Sequence, residues 1–258
     1  MQVPCHYQLR RRLARKQEIR ISGVMIMWYS MLLAINFKQE FYQSFIQDNR
    51  YKLLVSGIGI TVKISITALA AGMIIGFIIA LCNLSSNKGL NFIGKIYTDV
   101  IRGTPSVTQL MIIYFVVFAS IHIDKWIICS IAFAINSGAY ISEIIRAGIL
   151  SIDIGQTEAG RSLGLSAGQT MRYIIVPQAL TNIFPAMGNE FITLIKETAI
   201  VGYVGIMDIQ KAGDFIKSAT FKPLFPLLGT AVIYFVMIKI LTLVLGRVEN
   251  QMRKSARR

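Results

Sequence analysis

The sequence contains little charge. Only 16% of its 258 residues are Asp, Glu, Lys or Arg, against about 25% in an ordinary globular chain, whereas 54% are hydrophobic. The charges are bunched, so that residues 64–87 and 103–123 contain none over 24 and 21 positions. A helix needs about 20 apolar residues to cross the hydrocarbon core of a bilayer. The composition therefore excludes a soluble domain and indicates an integral membrane protein.

Residues that commonly carry covalent chemistry are also scarce. Cys5, Cys82 and Cys129 share no metal-binding or disulfide spacing, and the two histidines are isolated. Residues 89–96 approach a phosphate-binding loop, but Ile96 stands where the magnesium-binding Ser or Thr belongs. We therefore expect no enzyme activity, no metal site and no cofactor bound by this chain.

Three further apolar segments complete an all-α, polytopic membrane protein with five core spans. They occupy residues 126–147, 173–194 and 224–246, and each contains an ionisable residue, such as Glu143 or Glu190. Ionisable groups inside a membrane are costly and usually face the bundle interior or a watery cavity. These carboxylates are therefore candidates for a polar site.

The first span contains a small-residue pair. Gly72 and Gly76 are four residues apart and form a GxxxG pattern. Such a pair lets the backbones of two helices approach closely in lipid. We expect this face to pack against another helix, within the subunit or across a dimer.

The net charge of +14 is distributed as in a membrane protein rather than a nucleic-acid-binding one. With the first core span running inward, the predicted inner regions hold eleven Lys and Arg and four Asp and Glu, and the outer regions seven and five. The inner regions are residues 83–102, 146–172 and 247–258, and the outer ones are 38–52, 121–125 and 206–223. Because cytoplasmic loops are enriched in Lys and Arg, we expect the C-terminus in the cytoplasm.

Residues 1–37 form a basic extension with two open interpretations. Residues 1–20 are rich in Arg and Lys, and an apolar run follows. The run could be an additional membrane helix, or translation could start later, at Met27 or Met31. A cleaved signal peptide is disfavoured because no clear small-residue cleavage site follows the run. The transmembrane domain itself is expected over residues 48–255.

The second span begins at an anion-friendly corner. Arg102, Gly103, Thr104 and Pro105 stand at its entrance, and Pro105 suits a first helical turn because its missing N–H would be unpaired there anyway. The free amides of the helix start, together with Arg102, could bind a substrate carboxylate. Alternatively, Arg102 is only one positive charge of an inner loop.

The fourth span carries a second candidate site at Glu190. Pro177 and Pro185 precede it and loosen the helix, whereas Lys196 and Glu197 are expected at the helix end. Glu190 could recognise an ammonium group. An equally open alternative is a structural hydrogen bond between helices.

The inner segment of residues 153–172 is polar but has a helical pattern, and it places Gly160, Gly164 and Gly168 four residues apart. Glycine costs a helix interior about 1 kcal/mol relative to alanine, so three of them require an explanation. On one helix face they would remove side chains where a soluble partner must come close. Alternatively, the glycines pack against the protein's own helices.

Several motifs in the same order resemble the permease subunits of ABC importers, in particular the branch that takes up polar amino acids. They are RGTP at 102–105, SGAYISEIIRAG at 137–148, TEAG at 157–160, LGLS at 163–166, IIVPQA at 174–179 and GNEF at 188–191. The run from 157 to 179 is similar to the EAA loop of those permeases. The resemblance covers roughly residues 48–255.

The resemblance implies a type I importer permease in a bacterial inner membrane. Two permease subunits would surround a central path, above a dimer of ATPase subunits that binds ATP and magnesium. In such permeases the EAA loop forms a coupling helix that lies in a groove of the ATPase. The contact core here would be Glu158, Ala159, Gly160, Arg161 and Gly164.

The same resemblance implies an extracytoplasmic solute-binding protein that delivers an amino acid. The substrate would lie near Arg102, Gly103, Thr104, Pro105 and Glu190. From the residues alone, two other classes stay open. A secondary transporter driven by an ion gradient would explain the intramembrane carboxylates but not the glycine-rich inner segment. A non-transporting scaffold or receptor subunit would carry no solute.

Overall fold

The chain folds into a bundle of helices. A computed structural model describes residues 36–256, with side chains to residue 252, and this part contains helices and no strand. The helices are α1 (Phe37–Phe41), α2 (Tyr51–Leu84), α3 (Lys88–Arg102), α4 (Ser106–Ile112), α5 (Lys125–Leu150), α6 (Ile154–Ser162), α7 (Ala167–Thr170), α8 (Val176–Glu197), α9 (Ile209–Thr220) and α10 (Leu224–Ala256). Shorter helical turns cover Tyr42–Ile46, Gln47–Asn49, Ile113–Val117, Met171–Ile175 and Thr198–Val204. The predicted all-α class is confirmed. Of the predicted N-terminal extension over residues 1–37, residues 1–35 lie outside the part of the chain that the structure describes.

Three helices, α2, α5 and α10, are long and apolar enough to cross a membrane. Helices α3 and α4 make a fourth crossing if the bent pair is counted as one span. Helix α8 has 22 residues, which gives it a length of about 33 Å at 1.5 Å per residue. It is not among the helices apolar enough to count as a span, and it contains Gln178, Asn182, Asn189 and Glu190.

The second span differs from the prediction. We expected a straight helix over 103–123 after an inner loop over 83–102, whereas α3 fills most of that loop and meets the helical run to Val117 at an angle of 104°. Helix α3 forms because the Asn87 side chain caps its start, accepting from the first backbone amides at 2.8 and 3.4 Å. Pro105 then interrupts the helical hydrogen bonding. The charge-free run over residues 103–123 therefore does not form one straight helix.

Helices α2 and α5 pack closely through glycine. A Cβ atom on Gly76 would lie 2.9 Å from the carbonyl oxygen of Gly138, and one on Gly72 would meet the Ser137 hydroxyl. Gly59 of α2, by contrast, faces open space. The close helix contact predicted for Gly72 and Gly76 is confirmed. Helix α5 is the most deeply buried of the apolar spans, because 67% of its 18-residue apolar stretch lies inside the bundle.

The main hydrophobic core joins five parts of the bundle. It contains residues of α2, α4, α5 and α8 and of the turn after α8, including Ile64, Leu110, Phe133, Leu194 and Val201. All five are at most 1% exposed. This core packs α4, which follows the bend, against the first half of α5, and the polar residues of the candidate site lie further along the same helix.

Candidate functional site

Arg102 ends α3 and stands at the bend before α4. Its Nη1 atom lies 3.7 Å from Oε2 of Glu143 on α5, and its guanidinium carbon lies 5.4 Å from the centre of the Tyr140 ring. The side chain is 44% exposed, and no described residue accepts a hydrogen bond from it. A guanidinium has five N–H donors, so Arg102 can bind an anionic group of a ligand.

Glu143 is compensated by a second arginine. The Nε and Nη2 atoms of Arg146 donate to its two carboxylate oxygens at 3.0 and 2.9 Å. Bidentate pairs of this kind are stronger than single charged contacts. Glu143 therefore has a partner on its own helix, and its longer contact with Arg102 can be released without leaving the carboxylate unpaired.

The sequence analysis treated Glu143 as an ionisable residue within a span and included Tyr140 and Arg146 only in the motif at 137–148, without assigning them to a site. The available signal was their spacing. The three residues recur at intervals of three on one helix, which puts them on adjoining parts of one face.

Arg102 and Glu190, which were predicted from separate motifs, line the same cavity. Its volume is about 520 Å³. The remaining lining residues are Tyr140, Glu143, Ile144, Ala147, Gly148, Ser151, Asn182 and Ala186. Ligand cavities usually measure about 300–1,000 Å³, so a cavity that is lined by both the guanidinium and the carboxylate is large enough for a small polar molecule.

Glu190 on α8 has no hydrogen-bond or ion-pair partner in the part of the chain that the structure describes. The structural hydrogen bond that stood as the alternative role is thus not formed among these residues. Glu197 ends α8, as predicted, and is not among the residues that line the cavity. An unpaired carboxylate in a cavity favours a cationic ligand group.

Gly103, Thr104 and Pro105 form the bend behind Arg102 and are not among the described lining residues of the cavity. The Thr104 hydroxyl donates to the carbonyl oxygen of Val100 at 2.9 Å, which occupies an acceptor that the bend would otherwise leave free. These three residues thus shape the backbone that carries Arg102.

A second, more polar cavity of about 470 Å³ adjoins the first. Arg102 and Glu143 line both cavities. The other residues around the second one are Asn83, Asn91, Lys95, Thr98, Asp99 and Arg146. The Arg102–Glu143 pair therefore borders both polar spaces.

The segment over residues 153–172 contains two short helices instead of one. Asp153 caps α6, with its carboxylate accepting from Gly155 N at 2.7 Å. Ser166 and Gln169 form a reciprocal capping box at the start of α7, at 2.8 and 3.3 Å. The turn between the helices breaks the regular helical spacing of the segment.

The predicted glycine-lined face is therefore wrong. Gly160 is buried, and a Cβ atom on it would lie 2.7 Å from Cγ2 of Thr170 and 2.9 Å from Cδ1 of Ile174. Gly164 adopts a φ of +85°, which suits glycine at a helix end. Gly168 faces open space. For Gly160, the alternative of packing against the protein's own helices is the correct one.

The exposed surface of this segment includes large apolar side chains. Ile154 begins α6 and is 75% exposed, and Leu163 follows α6 and is 81% exposed. Glu158, Ala159 and Arg161 of α6 are also exposed. Ile154 and Leu163 are more exposed than Met171, the other exposed large apolar side chain of the segment, which is 41% exposed, and they fit a docking surface. The sequence analysis did not name them because it sought the surface at the glycines.

Comparison with known proteins agrees with these features. The family described as "Binding-protein-dependent transport system inner membrane component" matches residues 72–254. The chain belongs to this family. It is therefore an inner-membrane transport component rather than an enzyme, with several membrane-spanning helices.

Curated relatives match most of the chain. The arginine transport system permease protein ArtQ of Bacillus subtilis is 41% identical over 204 residues, which are 78% of this chain and 93% of the relative. A putative glutamine transport system permease protein GlnP of Rickettsia typhi is 39% identical over 201 residues, covering 77% and 92%. These relatives are amino-acid transport permeases, so the resemblance seen in the motifs is confirmed.

Solved structures give the same fold. One, described as an amino acid ABC transporter with histidines, matches with a TM-score of 0.74 and 41% identity over 80% of this chain and 98% of that one. The inward-facing MetNI methionine ABC transporter matches with a TM-score of 0.68 at 20% identity, which shows the fold alone. The type I importer permease fold supports the permease interpretation over that of a secondary transporter.

Proposed function

We propose that this chain is the permease subunit of an ATP-driven amino-acid importer and that the 520 Å³ cavity binds the transported amino acid. Arg102 binds the carboxylate group and Glu190 binds an ammonium group. One observation carries this assignment: a half-exposed arginine and an unpaired carboxylate line one cavity of suitable size. The arginine and glutamine permeases among the relatives transport molecules with both groups.

The bend of Gly103, Thr104 and Pro105 contributes by setting where Arg102 stands. Glu143 is the weaker candidate for the ammonium group, because Arg146 already occupies both of its oxygens. Glu190 has no such competitor among the described residues. The cavity therefore offers one available group of each sign, which suits a zwitterion.

The segment over residues 153–172 docks on a separate ATPase dimer that holds ATP and magnesium. Glu158, Ala159, Gly160, Arg161 and Gly164 belong to this coupling segment. Gly160 acts from within, by letting α6 lie against Thr170, while Ile154 and Leu163 supply apolar contacts. The segment and the C-terminus face the cytoplasm, as the excess of Lys and Arg favours.

Transport then proceeds by alternating access. A solute-binding protein delivers the amino acid from outside, and a second permease subunit, identical or homologous, completes the path. ATP binding needs only to stabilise one conformation of the permease more than the other, since the coupling free energy is the difference between those two stabilisations. The docked segment transmits this difference, because it is the part of the chain that contacts the ATPase.

The substitution Glu190→Gln tests the substrate assignment. We expect the KM for ATP-driven uptake to rise about tenfold, because an ionised acceptor becomes neutral and a charged hydrogen bond contributes about 1.5–3 kcal/mol. The measurement is uptake of basic, neutral and acidic amino acids into proteoliposomes with the ATPase and the binding protein. A rise for every substrate assigns Glu190 to the α-ammonium group, and a rise for basic ones alone assigns it to the side chain.

Glu40→Gln is the matched control. It makes the same chemical change on α1 and does not line the cavity, so its KM should stay within twofold of the wild type. Unchanged KM values for Glu190→Gln across the whole panel, with normal amounts of protein in the membrane, would remove Glu190 from the substrate path.

A further inference from the structure

The bend between α3 and α4 leaves backbone acceptors without their helical partners. In an unbroken helix the carbonyl oxygen of Ile101 would accept from the N–H of residue 105, but Pro105 has none. Thr104 lies outside both helices, so its carbonyl oxygen has no helical partner either. An unsatisfied backbone group at membrane depth costs several kcal/mol. The bend can persist only if side chains supply the missing donors.

Gln109 supplies them. One hydrogen of its Nε2 atom is donated to the carbonyl oxygen of Ile101 at 2.6 Å, and the other is shared between the Thr104 hydroxyl at 2.7 Å and the Thr104 carbonyl oxygen at 3.2 Å. The residue is only 8% exposed. The two carbonyl oxygens accept only, so they determine which end of the amide faces the bend. Its Oε1 atom must then point the other way, towards α5.

Asn136 of α5 fixes that outward end. Its Nδ2 atom donates to Oε1 of Gln109 at 2.8 Å, and the residue is 3% exposed. A second tie lies near by, since the Tyr97 hydroxyl of α3 donates to the Ile135 carbonyl oxygen at 2.6 Å. The bend is thereby attached to the most deeply buried span of the bundle.

The same helix carries the partner of Arg102. Asn136 and Glu143 are seven residues apart on α5 and so lie on one face, about 10 Å apart along the axis at 1.5 Å per residue. The hydrogen bonds from Asn136 to Gln109 and from Gln109 to Ile101 end one residue before Arg102. They therefore determine where its guanidinium lies relative to Glu143 and to both cavities.

We propose that Gln109 and Asn136 are positioning residues for substrate binding: they hold the broken helix against α5 and so place Arg102 in the cavity. Neither residue lines the cavity, and neither contacts Arg102 by hydrogen bond. The inference rests on the proposed role of Arg102 as the carboxylate-binding group. It predicts that both residues affect substrate affinity through Arg102 and through no other group.

The test uses Gln109→Met, which keeps the length of the side chain and removes its donors. We expect the KM for ATP-driven amino-acid uptake in proteoliposomes to rise about tenfold, with the maximal rate within twofold of the wild type. In an Arg102→Ala background the same substitution should raise KM by less than twofold. Asn136→Ala keeps the bonds from Gln109 to the bend and should raise KM about threefold, so it carries the test if Gln109→Met does not insert.

Hydrogen–deuterium exchange of the purified permease gives a readout independent of transport. Gln109→Met should speed exchange of the amides in residues 100–109 about tenfold and leave other regions unchanged. Gln43→Met is the control, because Gln43 also makes a side-chain hydrogen bond, to Lys222, but far from the bend. It should change neither KM nor exchange at 100–109.

Two results would overturn the positioning role. One is a rise in KM of equal size with and without Arg102, and the other is unchanged exchange at residues 100–109 in Gln109→Met. If Arg102→Ala alone leaves KM unchanged, the proposed carboxylate site fails. The exchange measurement then still decides whether Gln109 holds the bend, so the two failures can be told apart.

Discussion

Replacing Ile154 and Leu163 together by aspartate will reduce ATP-driven uptake at least 100-fold while leaving the permease in the membrane. Both side chains are exposed in the free chain, at 75% and 81%, so the free energy of unfolding should change by less than about 0.5 kcal/mol. Burying one such side chain in a partner stabilises the contact by about 1.5–3 kcal/mol. Losing both contacts weakens docking by about 3 kcal/mol or more, which raises the dissociation constant for the ATPase at least about 100-fold.

The measurement is co-purification of the ATPase together with ATP-dependent uptake. Phe221→Asp is the control for co-purification, because Phe221 is 91% exposed and lies between α9 and α10, beyond the other end of α8. It should retain the ATPase. Wild-type co-purification by the double variant would refute the docking surface. A large residue at Gly160 would be a poorer test, since it would collide with Thr170 and disturb the segment itself.

Removing the guanidinium by Arg102→Ala will raise the KM for uptake about 30-fold. Truncating one partner of a desolvated charge pair costs about 2–5 kcal/mol, and the lower end applies because Arg102 is 44% exposed. Glu143 keeps its bidentate partner Arg146, so the substitution leaves no unpaired carboxylate behind. Uptake kinetics over a range of amino-acid concentrations measure the change.

Two variants make the result specific. Arg102→Lys keeps the charge but loses the planar fork of donors, so its KM should lie between the wild type and Arg102→Ala. Arg247→Ala removes an exposed arginine of α10 that does not line the cavity, and should leave KM unchanged. If Arg102→Ala behaves like Arg247→Ala, the carboxylate site lies elsewhere.

Charge-free length was enough to predict the membrane class, and the GxxxG pair was enough to predict one helix contact. Both signals work because lipid imposes simple demands, namely apolar length and close backbone approach. The contact of Gly72 and Gly76 with α5 needed no knowledge of distant residues beyond the existence of a partner helix.

The bend after α3 was not predicted because its stabilising donors are distant in sequence. Pro105 signals an interruption, but the interruption is stable only through Gln109 and Asn136, and the latter belongs to another span. Local patterns do not show which buried amide will meet which free carbonyl. Residues 88–102 have an amphipathic helical pattern, but the sequence analysis assigned them to an inner loop and did not use that pattern.

Two of the residues that line the candidate cavity were predicted from the sequence. Arg102 and Glu190 were identified separately because ionisable groups at membrane depth are costly and face polar spaces, and the structure places both on one cavity. The glycine spacing of the coupling segment led to the wrong prediction of a single glycine-lined face. A regular interval of four places residues on one face only when they belong to one continuous helix. The turn at Leu163–Leu165 ended α6 and gave each glycine a different environment.

The central claim is that the segment over residues 153–172 faces the cytoplasm and is covered by the ATPase. The most direct measurement introduces Leu163→Cys after Cys5, Cys82 and Cys129 have been replaced by serine, and labels it with a membrane-impermeant maleimide. The account predicts labelling in inverted vesicles but not in intact cells, and protection when the ATPase is bound. Labelling from outside intact cells, or equal labelling with and without the ATPase, would contradict it.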